Sequence, residues 1–108
     1  MKLEELRQFI KTEDKRLRER FGNYPDEEKR ILARTVKLTE ELGELSSEVL
    51  NFNSMQRVEK LEKFKADNLP HEFADVVITT LLLAEVMGVD IEKALEDKIE
   101  KINKRYEE

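Results

Sequence analysis

Residues 37 to 50 read KLTEELGELSSEVL and set Glu40, Glu41, Glu44 and Glu48 among four leucines and one valine. On a helix, residues three or four apart are neighbours and adjacent residues diverge by about 100°. Glu41, Glu44 and Glu48 therefore form one stripe beside Leu38, Leu42, Leu45 and Val49, while Glu40 falls on roughly the opposite face. The same spacing recurs in HEFADVV, residues 71 to 77, where Glu72 and Asp75 directly precede the most apolar stretch of the chain. Like charges at this spacing destabilise a helix, and carboxylates at the edge of a core are costly unless paired or bound to metal. Two such pairs on two helices suggest a cation held between them.

The ligand types indicate which cation. An all-carboxylate set is hard and rich in oxygen, which suits Mg²⁺, with Mn²⁺ as the alternative, rather than Zn²⁺ or Cu²⁺. A di-iron bundle would need Glu-x-x-His on two helices, but the single histidine, His71, stands directly before Glu72 and reads as a first-turn surface residue. Two plainer readings stay open at this level. The acids are solvated charge in a chain that is 42% charged, or Lys37 neutralises Glu41 one turn away. With no cysteine, and no serine and histidine placed as nucleophile and base, no covalent protein intermediate is expected. Near the end of the sequence, Lys98, Lys101 and Arg105 share a helix face with Lys104 beside them. They suit an anionic group, and cations at a helix C-terminus are favourable in any case.

Four long amphipathic segments must position these groups. Leu3, Leu6, Ile10, Leu17 and Phe21 recur at helical spacing, with Gly22 as a natural stop. Pro25 and a run of acids introduce a second helix over about residues 26 to 52, with Ile31, Leu38, Leu42, Leu45, Val49 and Phe52 as its apolar seam. Residues 55 to 65 suit a short charged helix, and Asp67 or Asn68 a cap for a third, with Pro70 in its first turn. That third helix is apolar nearly all round from Val76 to Met87, which predicts the central and most buried element, ending at Gly88. Asp90 caps a fourth, whose Leu95, Ile99, Ile102 and Tyr106 are expected to face the others.

The chain of 108 residues, expected to form a single domain over residues 1–108, is 39% hydrophobic with few glycines, prolines and aromatics, and all-α is the fold class this favours. A net charge of −5 without a basic cluster argues against nucleic acid as a partner. No apolar run is long enough for export or membrane insertion, so no membrane partner and a cytoplasmic location are expected. The short chain and its two strongly apolar helices favour a homodimer or homotetramer.

LTEELGEL followed by EFADVV resembles the EExxE and ExxD motifs of MazG-like nucleoside triphosphate pyrophosphohydrolases, and GVDIEKAL and EKINKRY are similar to that family's later segments. The resemblance covers most of residues 31 to 106. It implies an oligomeric, antiparallel all-α bundle of four to five helices that splits the α–β bond of a nucleoside triphosphate with Mg²⁺, releasing a monophosphate and pyrophosphate. It further implies that Glu41, Glu44, Glu72 and Asp75 hold the metal, that Glu40 is the first member of the catalytic glutamates Glu40, Glu41 and Glu44, and that Lys101, Lys104 and Arg105 meet phosphate oxygens. Many relatives carry asparagine where this chain has Ile99, which leaves Asn103 as the nearest substitute. Two alternatives accompany this reading: an enzyme like phosphoribosyl-ATP pyrophosphohydrolase, and a non-catalytic helical assembly or regulatory module.

Overall fold

Two capping aspartates and one glycine set the helix limits. A computed structural model describes residues 1–20, 26–53 and 68–107. Among these described residues are four helices, α1 (Leu3–Arg20), α2 (Glu27–Phe52), α3 (Asn68–Val86) and α4 (Ile91–Lys104), and no strand. Asp26 caps α2 by accepting from the Lys29 backbone N–H at 2.8 Å, with Glu27 and Glu28 against the positive end of the helix. At the far end of α3, Gly88 takes φ 67°, the left-handed conformation. There the Val89 N–H donates to the Ala84 carbonyl at 2.9 Å and the Gly88 N–H to that of Glu85 at 3.2 Å. Asp90 then caps α4 through the Lys93 N–H at 3.1 Å.

These starts and stops agree with the sequence reading. α3 takes Asn68 as its first helical residue, with Pro70 in its first turn. The expected stop at Phe21 and Gly22, the short helix at 55 to 65 and the cap at Asp67 lie outside the described residues.

α2 and α3 run antiparallel and form the main contact of the fold. Arg34 reaches the Leu82 carbonyl, and Glu41, further along α2, meets Glu72 and Asp75, earlier on α3. α1 packs on α3, with Leu6 and Ile10 facing Val77 and Leu81 around a cavity of about 180 Å³. Arg7 of α1 ties to Glu92 of α4 at 3.0 Å.

Three expectations are corrected. First, α3 is central but not deeply buried: its buried residues are Thr79 and Leu82, while Phe73, Val77 and Met87 are exposed. Two neighbouring helices cannot cover a helix that is apolar on every side. Second, α4 buries none of its residues: Leu95, Ile99, Ile102 and Tyr106 are exposed, with Leu95 lining the cavity beside α1 and α3.

Third, the expected seam of α2 holds in part. Ile31, Leu38, Leu45 and Val49 are half-buried as expected, whereas Leu42 and Phe52 are exposed, and Arg34 and Glu41 are buried beside the half-buried set. Arg34 and Glu41 stand three and four residues from Ile31, Leu38 and Leu45, so a search for apolar residues alone passes over them. Among the described residues, no helix is long and apolar enough to cross a membrane.

Candidate metal centre

Glu41 lies in the middle of α2, and Glu72 and Asp75 lie in the first two turns of α3. Because the helices are antiparallel, one carboxylate oxygen from each comes within 4.8 Å of the others. Glu41 is buried, Glu72 half-buried and Asp75 exposed, so the group opens to solvent on the Asp75 side. Three acids converging without a cation would repel strongly in a site only partly hydrated.

The oxygens show how incompletely that charge is answered. Glu41 Oε2, Glu48 Oε2 and Glu72 Oε2 are buried and receive no hydrogen bond among the described residues. Lys37 Nζ lies 3.3 Å from Glu41 Oε1 and 3.4 Å from Glu40 Oε2, so the pairing expected from sequence is present. It engages the other oxygen of Glu41. The lysine is half exposed, and surface pairs of this kind contribute little; it cannot offset the whole cluster.

Proton affinities follow the same crowding. Burial is the largest cause of the upward shift of the Glu72 carboxyl, followed by the charges of Glu44, Asp75, Glu41 and Glu48. Glu44 is raised chiefly by the charge of Glu41, which brings it into the electrostatic group although it is exposed. Lys37 is raised, first by its hydrogen bond to Glu41. The carboxylates therefore favour a bound positive charge, whether proton or metal. The donor set fits a hard divalent cation: three oxygens close enough to share one ion, with buried lone pairs left open.

The remaining expected residues are distributed as follows. Glu40 is exposed and held by Lys37, away from the inward face. His71 is an exposed first-turn residue. Thr79, buried one turn beyond Asp75, donates to the Asp75 backbone carbonyl at 2.6 Å and leaves that carboxylate alone. Lys101, Lys104 and Arg105 are exposed on the last turns of α4 and its cap, with Lys104 pairing to Glu100 at 3.1 Å.

The chain matches the model of the MazG-like family over residues 32–108. It belongs to the MazG-like family. The match takes in Glu41, Glu44, Glu72 and Asp75 together with all of α4, and membership points to nucleotide pyrophosphatase-type chemistry. No curated protein and no solved structure matches this MazG-like chain.

Two residues escaped the sequence reading. Asp14 of α1 and Arg34 of α2 are both buried and form an ion pair at 2.6 Å. The signal was available in spacing: Asp14 falls between Ile10 and Leu17, and Arg34 between Ile31 and Leu38, each at an inward helical step. Asp14 lies outside the span matched by the family.

Proposed function

We propose that this MazG-like protein is a divalent-metal-dependent hydrolase that cleaves the α–β phosphate bond of a ribo- or deoxyribonucleoside triphosphate, giving the monophosphate and pyrophosphate. The observation that carries this reading is the convergence of Glu41, Glu72 and Asp75 with buried oxygens left open. Those three residues would hold the metal, with Glu44 beside Glu41 as a fourth carboxylate. A bound Mg²⁺ or Mn²⁺ would supply polarisation of phosphate oxygens and a lowered pKa for a water. Glu48, half-buried on the same inward face with one open oxygen, orients the attacking water. Glu40 keeps Lys37 divided between two acids, which limits its hold on Glu41. Lys101, Lys104 and Arg105 receive the charge of the phosphates.

In the same reading the chain acts as a single domain that assembles into a homodimer or homotetramer in the cytoplasm, the compartment a cysteine-free composition suits. Exposed Leu95 and Ile99 on α4, and exposed Phe73 and Val77 on α3, are apolar surface that a second copy would cover. Light scattering should give a particle larger than the 12.8 kDa chain, and a particle of that mass at micromolar concentration would contradict assembly.

The direct test is incubation with each NTP and dNTP, dUTP and phosphoribosyl-ATP, with and without Mg²⁺, with products resolved by ion exchange. Mg²⁺-dependent release of pyrophosphate from at least one free nucleotide is expected. Orthophosphate and a diphosphate would refute the bond assignment, turnover of phosphoribosyl-ATP alone would shift the substrate class, and inactivity throughout would favour a non-catalytic module.

A further inference from the structure

Arg34 carries a buried charge that the proposed chemistry does not use. It is 8% exposed, and its Nη1 lies 2.6 Å from Asp14 Oδ1 of α1 and donates to the Leu82 carbonyl of α3 at 2.9 Å. One nitrogen thus joins three helices. Arg18 closes on the other oxygen of Asp14 at 3.0 Å, so each oxygen faces a cation, the Arg34 contact on Oδ1 being an ion pair without hydrogen-bond geometry.

The location of this tie matters more than its strength. Glu41 follows Arg34 by seven residues on α2, and Asp75 precedes Leu82 by seven on α3, so in antiparallel helices both pairs lie at matching heights. The two levels are about 10.5 Å apart along each helix at 1.5 Å per residue. Apolar packing at that register is half-exposed: Leu82 is the buried hydrophobic residue on α3, α2 has none among the described residues, and Ile31, Leu38, Leu45 and Val49 are only half-buried. Loosely packed amphipathic helices tolerate sliding, whereas a buried guanidinium without its partners is strongly penalised. A slip of one turn, about 5.4 Å, exceeds the 4.8 Å within which the three ligand oxygens gather.

We propose that Arg34 is a positioning residue for the metal centre: by bridging Asp14 and the Leu82 carbonyl it fixes the sliding register of α2 on α3 that sets Glu41 level with Glu72 and Asp75. The inference rests on the metal-centre reading for its consequence, but not for the register itself. It also gives α1, outside the family match, a role in shaping the site.

The test separates register from stability. The double variant Asp14→Leu, Arg34→Met removes both charges and substitutes apolar side chains, a change that is often neutral or stabilising for buried pairs. It should melt near the parent yet bind Mn²⁺, followed by electron paramagnetic resonance, about tenfold more weakly, as when outer supports of a metal site are lost. Arg34→Lys, which retains a donor to both partners, should remain close to the parent. A purely structural role predicts that the double variant, once its melting temperature is preserved, binds Mn²⁺ like the parent; that result would overturn the proposal. The neutral pair Asp14→Asn, Arg34→Gln, which keeps polar side chains at both positions, is held to the same criterion.

Register is read independently by nitroxides at Thr39→Cys and Val77→Cys, exposed positions on α2 and α3 of a chain with no native cysteine. A narrow distance distribution is expected in the parent and in Arg34→Lys, and a shifted or broadened one in either double variant. If the parent binds no Mn²⁺, the proposed function fails, and the nitroxide distances alone then decide: a change in the double variants supports the register role, and an unchanged distance removes it.

Discussion

The α2–α3 contact holds buried charge at two levels, and the levels are built on opposite principles. At one, Arg34 and Asp14, each less than a tenth exposed, are matched in sign, and Arg34 is further satisfied by a carbonyl and Asp14 by Arg18. At the other, Glu41 is equally buried, but its nearest charged neighbours across the helix pair are more acids, Glu72 and Asp75. Burial of charge costs about the same desolvation wherever it occurs. The first level offsets that cost with charges of opposite sign, although Asp14 Oδ1 receives no hydrogen bond, whereas the second gathers like charges around the unbonded Glu41 and Glu72 oxygens. A closed level, matched in sign, thus reports on how the helices are held, and an open one, unmatched, on what the protein binds.

The sharpest way to break the comparison is Asp75→Asn. Asparagine keeps the shape and removes one charge from the open level, so pyrophosphate release should fall by orders of magnitude. The metal-free variant should melt at or above the metal-free parent, because repulsion is relieved. Thermal melts in EDTA and in Mg²⁺ check both halves; a lower melting temperature with an intact Mg²⁺ response would make Asp75 a structural acid.

Arg34→Met alone should behave in the opposite manner. It leaves Asp14 buried with Arg18 as its remaining cation and should cost about 3 kcal/mol, the low end for removing one partner of a buried pair. Urea unfolding measures it, and a loss under 1 kcal/mol would mean that the closed level contributes little to holding the helices. A smaller effect is expected from the ligand. Mg²⁺ at about 100 times its dissociation constant should stabilise the parent by roughly 2.7 kcal/mol and Asp75→Asn by much less.

The smallest effect is in pH. Glu72 and Glu44 are raised above the ordinary glutamate value of 4.5, so between that value and their folded-state values the folded chain binds more protons than the unfolded chain. Their contribution to stability is therefore present at low pH and is lost as pH rises from about 4.5 through the folded values. In EDTA, parent stability should decline relative to Glu72→Gln across that window, and saturating Mg²⁺ should flatten the difference. A difference independent of pH would show that the Glu72 carboxylate is not destabilised by its neighbours.

Much of the candidate site was legible before any coordinates, because repulsive spacing is a local property. Glu41 with Glu44, and Glu72 with Asp75, are each three residues apart, and a helix makes such residues neighbours whatever surrounds it. Asp90 and Gly88 were equally legible, since a cap and a left-handed stop act within one turn. Glu48 was visible in the stripe, but its depth was not. Arg34 and Asp14 went unread although each stands at an inward step, because spacing places a residue on a face without saying whether its long or charged side chain stays there or reaches out to solvent.

The sequence by itself therefore determined where the helices run, which carboxylates neighbour one another along each, and the class of ion they suit. Tertiary structure decided that Arg34 and Glu41 are buried on α2 while Leu42 and Phe52 are exposed, that α3 and α4 keep apolar surface exposed, and that Glu41 meets Glu72 and Asp75. The physical reason is range. Steps of three and four residues place a side chain on a face of its helix, and whether it is buried there depends on long-range contacts, here those of Arg34 with Asp14 and Leu82, which join residues far apart in the chain.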